Sequence, residues 1–214
     1  MSTNAASPVW ALRVHAAFDW VLWVATVNLL WCVFTLAGGI VLGVAPASVA
    51  SAELTRRRLR GDGFAAARSF AEVWRREFWR ANVALGPSLA VTALLGASTI
   101  GQYEAGALGT PLGILTSAAL ALAFAVTAVA VPLYAHYDLP LRGYVLTSFR
   151  WVLRNLPHAV LLLLAAVVVV TASLILPGII PFLSLGAWLT LSTALCIGFF
   201  TANDRRLAEA DTPT

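Results

Sequence analysis

Four stretches of this 214-residue chain contain no Asp, Glu, Lys or Arg: Trp20 to Ala52, Ala81 to Tyr103, Ala105 to Tyr137 and Asn155 to Asn203. The shortest runs for 23 residues and the longest for 49. About 20 apolar residues in a helix cross the hydrocarbon of a bilayer, so each stretch holds at least one crossing. Only 11% of the residues are charged, against about 25% in soluble domains. Apolar residues make up 60%, and the mean hydropathy is +0.83. Disordered segments need far more charge, and barrel strands need period-two alternation where these runs are continuous. The expected fold is all-α, a polytopic transmembrane bundle in a single membrane domain.

Five crossings are expected, at about residues 18–44, 83–100, 112–134, 159–176 and 182–200. The first is long, roughly 40 Å at 1.5 Å per residue, so it must tilt or bend, most easily at Gly38-Gly39. Pro46 suits the first turn of a second helix that ends in Arg56, Arg57, Arg58 and Arg60 and reads as interfacial. A short sixth crossing from Gly38 to Leu54 is the competing arrangement. In the last uncharged stretch, Pro177-Gly178-Ile179-Ile180-Pro181 breaks the helix into a tight turn. Ala50-Ser51-Ala52 resembles a signal-peptide cleavage site, but the apolar region before it is too long for one, so an uncleaved anchor is expected.

Basic loops resist translocation, and all 14 basic residues are arginine. With residues 53–82 inside, eight arginines lie in that loop, Arg142, Arg150 and Arg154 in the next, and Arg205 and Arg206 in the tail of residues 201–214. This predicts a membrane protein with a cytoplasmic C-terminus, and five crossings then leave Arg13 outside. Within the basic loop, Ala67, Phe70, Trp74, Phe78 and Ala81 share one helical face, and Arg68, Glu72, Arg75, Arg76 and Arg80 share the other. A helix of this kind lies in the headgroup layer and serves either as a topology-setting anchor or as a docking surface.

Chemistry-bearing groups are sparse inside the expected spans. Asn28 is the notable amide there, with Asn82 at the edge of the second span, and Cys32 and Cys196 have no metal or redox spacing. His136 and Asp138, in Tyr134-Ala-His-Tyr-Asp-Leu-Pro140, bring an imidazole, two phenols and a carboxylate to a span's end. They lack a nucleophile motif, a metal-ligand set or a phosphate loop. No enzyme activity, cofactor or metal is therefore expected. Nucleic acid is not an expected partner either, since Glu53, Asp62, Glu72 and Glu77 share the basic loop and no recognition fold fits. The candidate interaction residues are Arg56, Arg57, Arg58, Arg68, Trp74, Arg76, Phe78, Asn82, His136 and Asp138.

Several pieces in order resemble a known family. They are Asn28-Leu-Leu-Trp31, Gly39-Ile-Val-Leu-Gly43 with Pro46-Ala and a basic run, and Phe70, Trp74, Arg76-Glu77-Phe78 and Asn82. His136-Tyr-Asp-Leu139 and Leu176-Pro-Gly-Ile-Ile-Pro-Phe182 follow. The pattern is similar to the YesL-like family, also called domain of unknown function 624. Its members are small multi-spanning bacterial membrane proteins whose genes often lie beside sugar-uptake systems of the ATP-binding-cassette type or glycan-degrading enzymes. The resemblance implies an accessory role in carbohydrate uptake, with transporter permease or ATPase subunits as partners. The alternative is a small-solute carrier or channel, acting alone or as an oligomer. The chain departs from relatives in using arginine throughout and in its acidic tail, Glu209 to Asp211.

Overall fold

The computed structural model describes residues 9–176 and 183–210, and every regular element among them is a helix. In order they are α1 (Val9–Ala37), α2 (Val41–Leu59), α3 (Ala66–Glu104), α4 (Pro111–His136), α5 (Gly143–Arg154), α6 (Leu156–Ile175) and α7 (Leu185–Ala210). Five stretches are long and apolar enough to cross a membrane: Arg13–Ala37, Ala66–Glu104, Pro111–His136, Leu156–Ile175 and Leu185–Arg205. The all-α polytopic bundle read from the uncharged stretches is the fold observed. The Pro177–Pro181 turn lies outside the described residues.

Local chemistry sets the breaks. Thr110 caps α4, its Oγ1 accepting from the Gly113 N–H at 3.1 Å, and Pro111 fills the first helical position. Asn155 and Pro157 separate α5 from α6. Where a bend was expected near Gly38-Gly39, the helix stops completely. Gly39 (φ 71°) and Ile40 (φ 64°) both adopt left-handed backbone, which turns the chain back on itself. The second helix therefore begins at Val41 and not at Pro46, and runs antiparallel to α1. At Gly43 a Cβ would overlap the carbonyl of Thr35, so this residue sets how closely the two helices approach.

The interior placement of α2 differs from the interfacial one expected. Residues Ala45, Ala47, Val49, Ala50, Ala52 and Leu54 are buried, and α2 packs on α1, α3, α4 and α7. The reason is side-chain size, because a helix of Gly, Ala and Ser admits neighbours on several sides at once. Its Pro46 cannot donate to the Leu42 carbonyl four residues back. Asn82 supplies the missing donor: its Nδ2 reaches the Leu42 oxygen at 2.8 Å and the Phe78 oxygen at 2.8 Å.

Residues 66–82 of the basic loop and the crossing after them, separate in the sequence reading, form one continuous 39-residue helix, α3. The apolar face of its first half is not spent on headgroups. Phe70 and Val73 are buried against α1 and α2, with the Phe34 ring 5.0 Å from Phe70 and 5.4 Å from Trp74. At the other end of the bundle the Gly186 N–H donates to Asn28 Oδ1 at 2.9 Å, across 158 residues of sequence. A Cβ at Gly186 would overlap the Val24 carbonyl. Only Ala159 and Leu162 of α6 are buried, while Val160, Leu164, Val167, Val168, Leu174 and Ile175 face outward. So continuous an apolar exterior suits lipid and not water.

Candidate functional site

The end of the bundle where α2 and α4 finish collects charge from several elements. The first half of α3, the linker after α4, and the last turns of α7 meet there. α2, α3, the end of α4 and the linker after it frame an open cleft of ≈ 300 Å³ whose polar wall is Glu53, Arg56, Arg76, Glu77, Arg80, Tyr134, His136 and Asp138, with Val49, Val73 and Tyr144 beneath.

Glu77 is the pivot. Its side chain is only 10% exposed, yet it lies on the face of α3 that buries Phe70, Val73 and Ala81. Its Oε1 accepts from Arg76 Nε at 2.7 Å and its Oε2 from the Tyr134 hydroxyl at 2.8 Å. Charge-assisted bonds of this length offset the cost of keeping a carboxylate away from water. Glu53 is held similarly. Its Oε2 accepts from Arg56 Nη2 at 2.8 Å and its Oε1 from Arg57 Nε at 2.9 Å.

The linker after α4 is shaped by Tyr144, buried at the start of α5. Its hydroxyl accepts from the Leu139 N–H at 3.0 Å and donates to the Tyr137 carbonyl at 3.1 Å. This fixes the peptide that carries His136 and Asp138. The two do not pair with each other. His136 Nε2 lies 3.5 Å from the Asp204 carboxylate, and Asp138 lies 3.8 Å from Arg80 Nη2. The Tyr137 hydroxyl donates to Asp204 at 2.7 Å, tying α7 to the end of α4. Burial, and then that hydrogen bond, push the Tyr137 phenol above its ordinary value, so it remains a neutral donor.

Of the ten residues singled out from sequence, Arg56, Arg76, His136 and Asp138 come together around the cleft. The rest do other work. Arg57 braces Glu53. Arg58 stacks over Trp23 at 4.8 Å and Trp20 at 5.3 Å and donates to the Asp19 carbonyl. Arg68 pairs with Glu72 on the exposed side of α3. Trp74 and Phe78 are neighbours, with ring centroids 4.9 Å apart, and Asn82 completes the backbone of α2. Most arginines of the basic loop are thus paired or stacked within the fold. Sequence reasoning missed Glu53, Glu77 and Arg80 as members of the site, and counted Tyr134 only as a phenol near His136. For Glu77 a signal exists: it stands between Val73 and Ala81 on the apolar side of the helix, where an acid needs a partner. Among the described residues no group of three His, Cys, Asp or Glu is arranged to hold a metal ion.

Residues 24–98 match the family model described as protein of unknown function, DUF624. Three curated relatives from Bacillus subtilis (strain 168), each described as an uncharacterized protein, are similar over most of their length. YteU is 33% identical over 174 residues, 78% of this chain and 75% of its own. YesL is 30% identical over 151 residues, 70% of each chain, and YesV 28% over 172 residues, 79% and 82%. No solved structure matches the chain.

Proposed function

The chain belongs to the DUF624 family that includes YesL, and on that premise we propose that it is a non-enzymatic accessory component of carbohydrate uptake by an ATP-binding-cassette system. The observation that carries this reading is the charged cleft. Arginines, carboxylates and phenols from α2, α3 and α4 are fixed by mutual hydrogen bonds at one end of an otherwise apolar bundle. A pattern so held presents fixed donors and acceptors to a partner at little entropic cost, and its partner here is a permease or ATPase subunit on the cytoplasmic side. The neighbourhood of sugar-uptake genes that marks the family supports the choice. Affinity purification of the full chain in mild detergent is expected to recover such subunits, and Asp138→Arg, which reverses charge at the cleft mouth, to recover fewer. Failure to recover them under conditions in which permease and ATPase stay together would remove the proposal.

One feature favours the second reading, a solute path. A cavity of ≈ 140 Å³ between α2, α3, α4 and α7 sets Ser48, Thr92, Thr127 and Ser192 among apolar walls of Leu89, Phe124, Ala128, Val131, Trp188 and Leu189. Flux of sugars or ions into vesicles carrying the purified chain alone would establish it, and silence across a panel would dismiss it.

A further inference from the structure

The cavity between α2, α3, α4 and α7 takes one hydroxyl from each of the four helices: Ser48, Thr92, Thr127 and Ser192. A hydroxyl carries one proton and two lone pairs, so the partners of these four can be counted. Thr92 gives its proton to the Ser88 carbonyl at 2.8 Å. The Thr127 hydroxyl, 3.0 Å from that of Thr92, must then be the donor between the two, which leaves its own lone pairs open. Ser192 donates to the Leu189 carbonyl at a long 3.3 Å, and among the described residues nothing donates to it. Ser48 accepts from the Trp31 indole N–H at 3.0 Å, and no described residue accepts the Ser48 proton. One donor and two acceptors thus border a space of ≈ 140 Å³ that no charged side chain lines. On the same stretch of α7, Thr190 and Thr193 are also buried, with no partner for either hydroxyl among the described residues.

Unpaired hydroxyls are costly in apolar surroundings, and a buried water that meets about two to four polar partners removes the cost. We propose that this cavity is a hydrated site inside the bundle, in which ordered water links Ser48, Thr127 and Ser192 and so joins α2 to α4 and α7. Water both donates and accepts, as the open positions require. An ion would find no opposite charge there. At about 30 Å³ of liquid volume each, several waters fit, and the apolar walls of Leu89, Phe124, Val131 and Leu189 gather them at the hydroxyls. The site stands apart from the charged cleft, needs no transporter partner and does not require that the chain conduct a solute.

The test is X-ray radiolysis of the full-length chain in detergent. Bound water is converted to hydroxyl radicals that oxidise the side chains beside it, and the products are read residue by residue by mass spectrometry. Leu189 and Val131, only 8% and 7% exposed, line the cavity, while Leu54 and Leu162 are fully buried elsewhere and report burial without water. In wild type, Leu189 and Val131 are expected to oxidise several times faster than Leu54 and Leu162. Thr127→Val with Ser192→Ala removes the acceptors with little change of volume and should bring the two fast residues down to the slow rate. Ala128→Leu, which fills the space with carbon, should do the same and serves if the double variant unfolds. Equal rates at all four residues in wild type, or fast oxidation that persists in either folded variant, would overturn the proposal.

Discussion

At the scale of single residues, a few polar side chains close specific gaps that the backbone or the burial of charge opens. Asn82 replaces the donor that Pro46 lacks, and this has a double-mutant signature. Asn82→Ala should cost about 1–3 kcal/mol by orphaning the Leu42 carbonyl in apolar surroundings. In a Pro46→Ala background, where the backbone supplies the donor, thermal unfolding in detergent should show most of that cost gone. Glu77 makes a second case. Glu77→Ala strands both Arg76 and Tyr134, so a loss of about 2–3 kcal/mol is expected, against under about 0.5 kcal/mol for Arg68→Ala in the exposed Arg68–Glu72 pair. Equal effects at the two sites would show that Glu77 is not the pivot. Gly186→Ala should also destabilise, by about 1–3 kcal/mol, because its methyl group overlaps α1.

At the scale of elements, the α1–α2 hairpin carries the sharpest consequence. The turn at residues 38–40 sends α2 back along α1, and its basic end arrives beside Asp19, Trp20 and Trp23. The start of α1 and the end of α2 therefore share one end of the hairpin. α2 is not among the five helices long and apolar enough to cross, and a crossing by both α1 and α2 would put Arg13 on the side of the basic loop. With Cys32 and Cys196 replaced by alanine, single cysteines at positions 13 and 60 should react with a membrane-impermeant maleimide from the same side. Labelling from opposite sides would restore the five-crossing arrangement. The sequence hid this because α2 fails as a crossing on composition: four of its last residues are Glu or Arg. What keeps it inside is packing by small residues, which hydropathy does not weigh.

At the scale of the whole molecule, most of the charge is gathered at one end, Glu104 at the far end of α3 excepted, and the flanks are left to lipid. Asp138 is 95% exposed and its contact with Arg80 is loose, so Asp138→Arg should leave insertion and thermal stability near wild type. If the cleft is the working surface, the same variant should slow growth on a sugar imported by the associated transporter. Normal growth with impaired subunit recovery would separate binding from function.

Much of this protein is legible in its sequence. Uncharged stretches longer than a bilayer is thick require helices that cross, and clustered arginines mark one end of them, because burying charge or unpaired backbone in hydrocarbon is prohibitive. The tertiary structure alone decided the rest: that α2 lies inside, that α3 is one helix, and that Glu53, Glu77, Tyr134 and His136 meet. These depend on which faces touch. A glycine at Gly43 or Gly186, a prolyl gap at Pro46 and the amide that fills it act only when two distant segments are brought within contact distance.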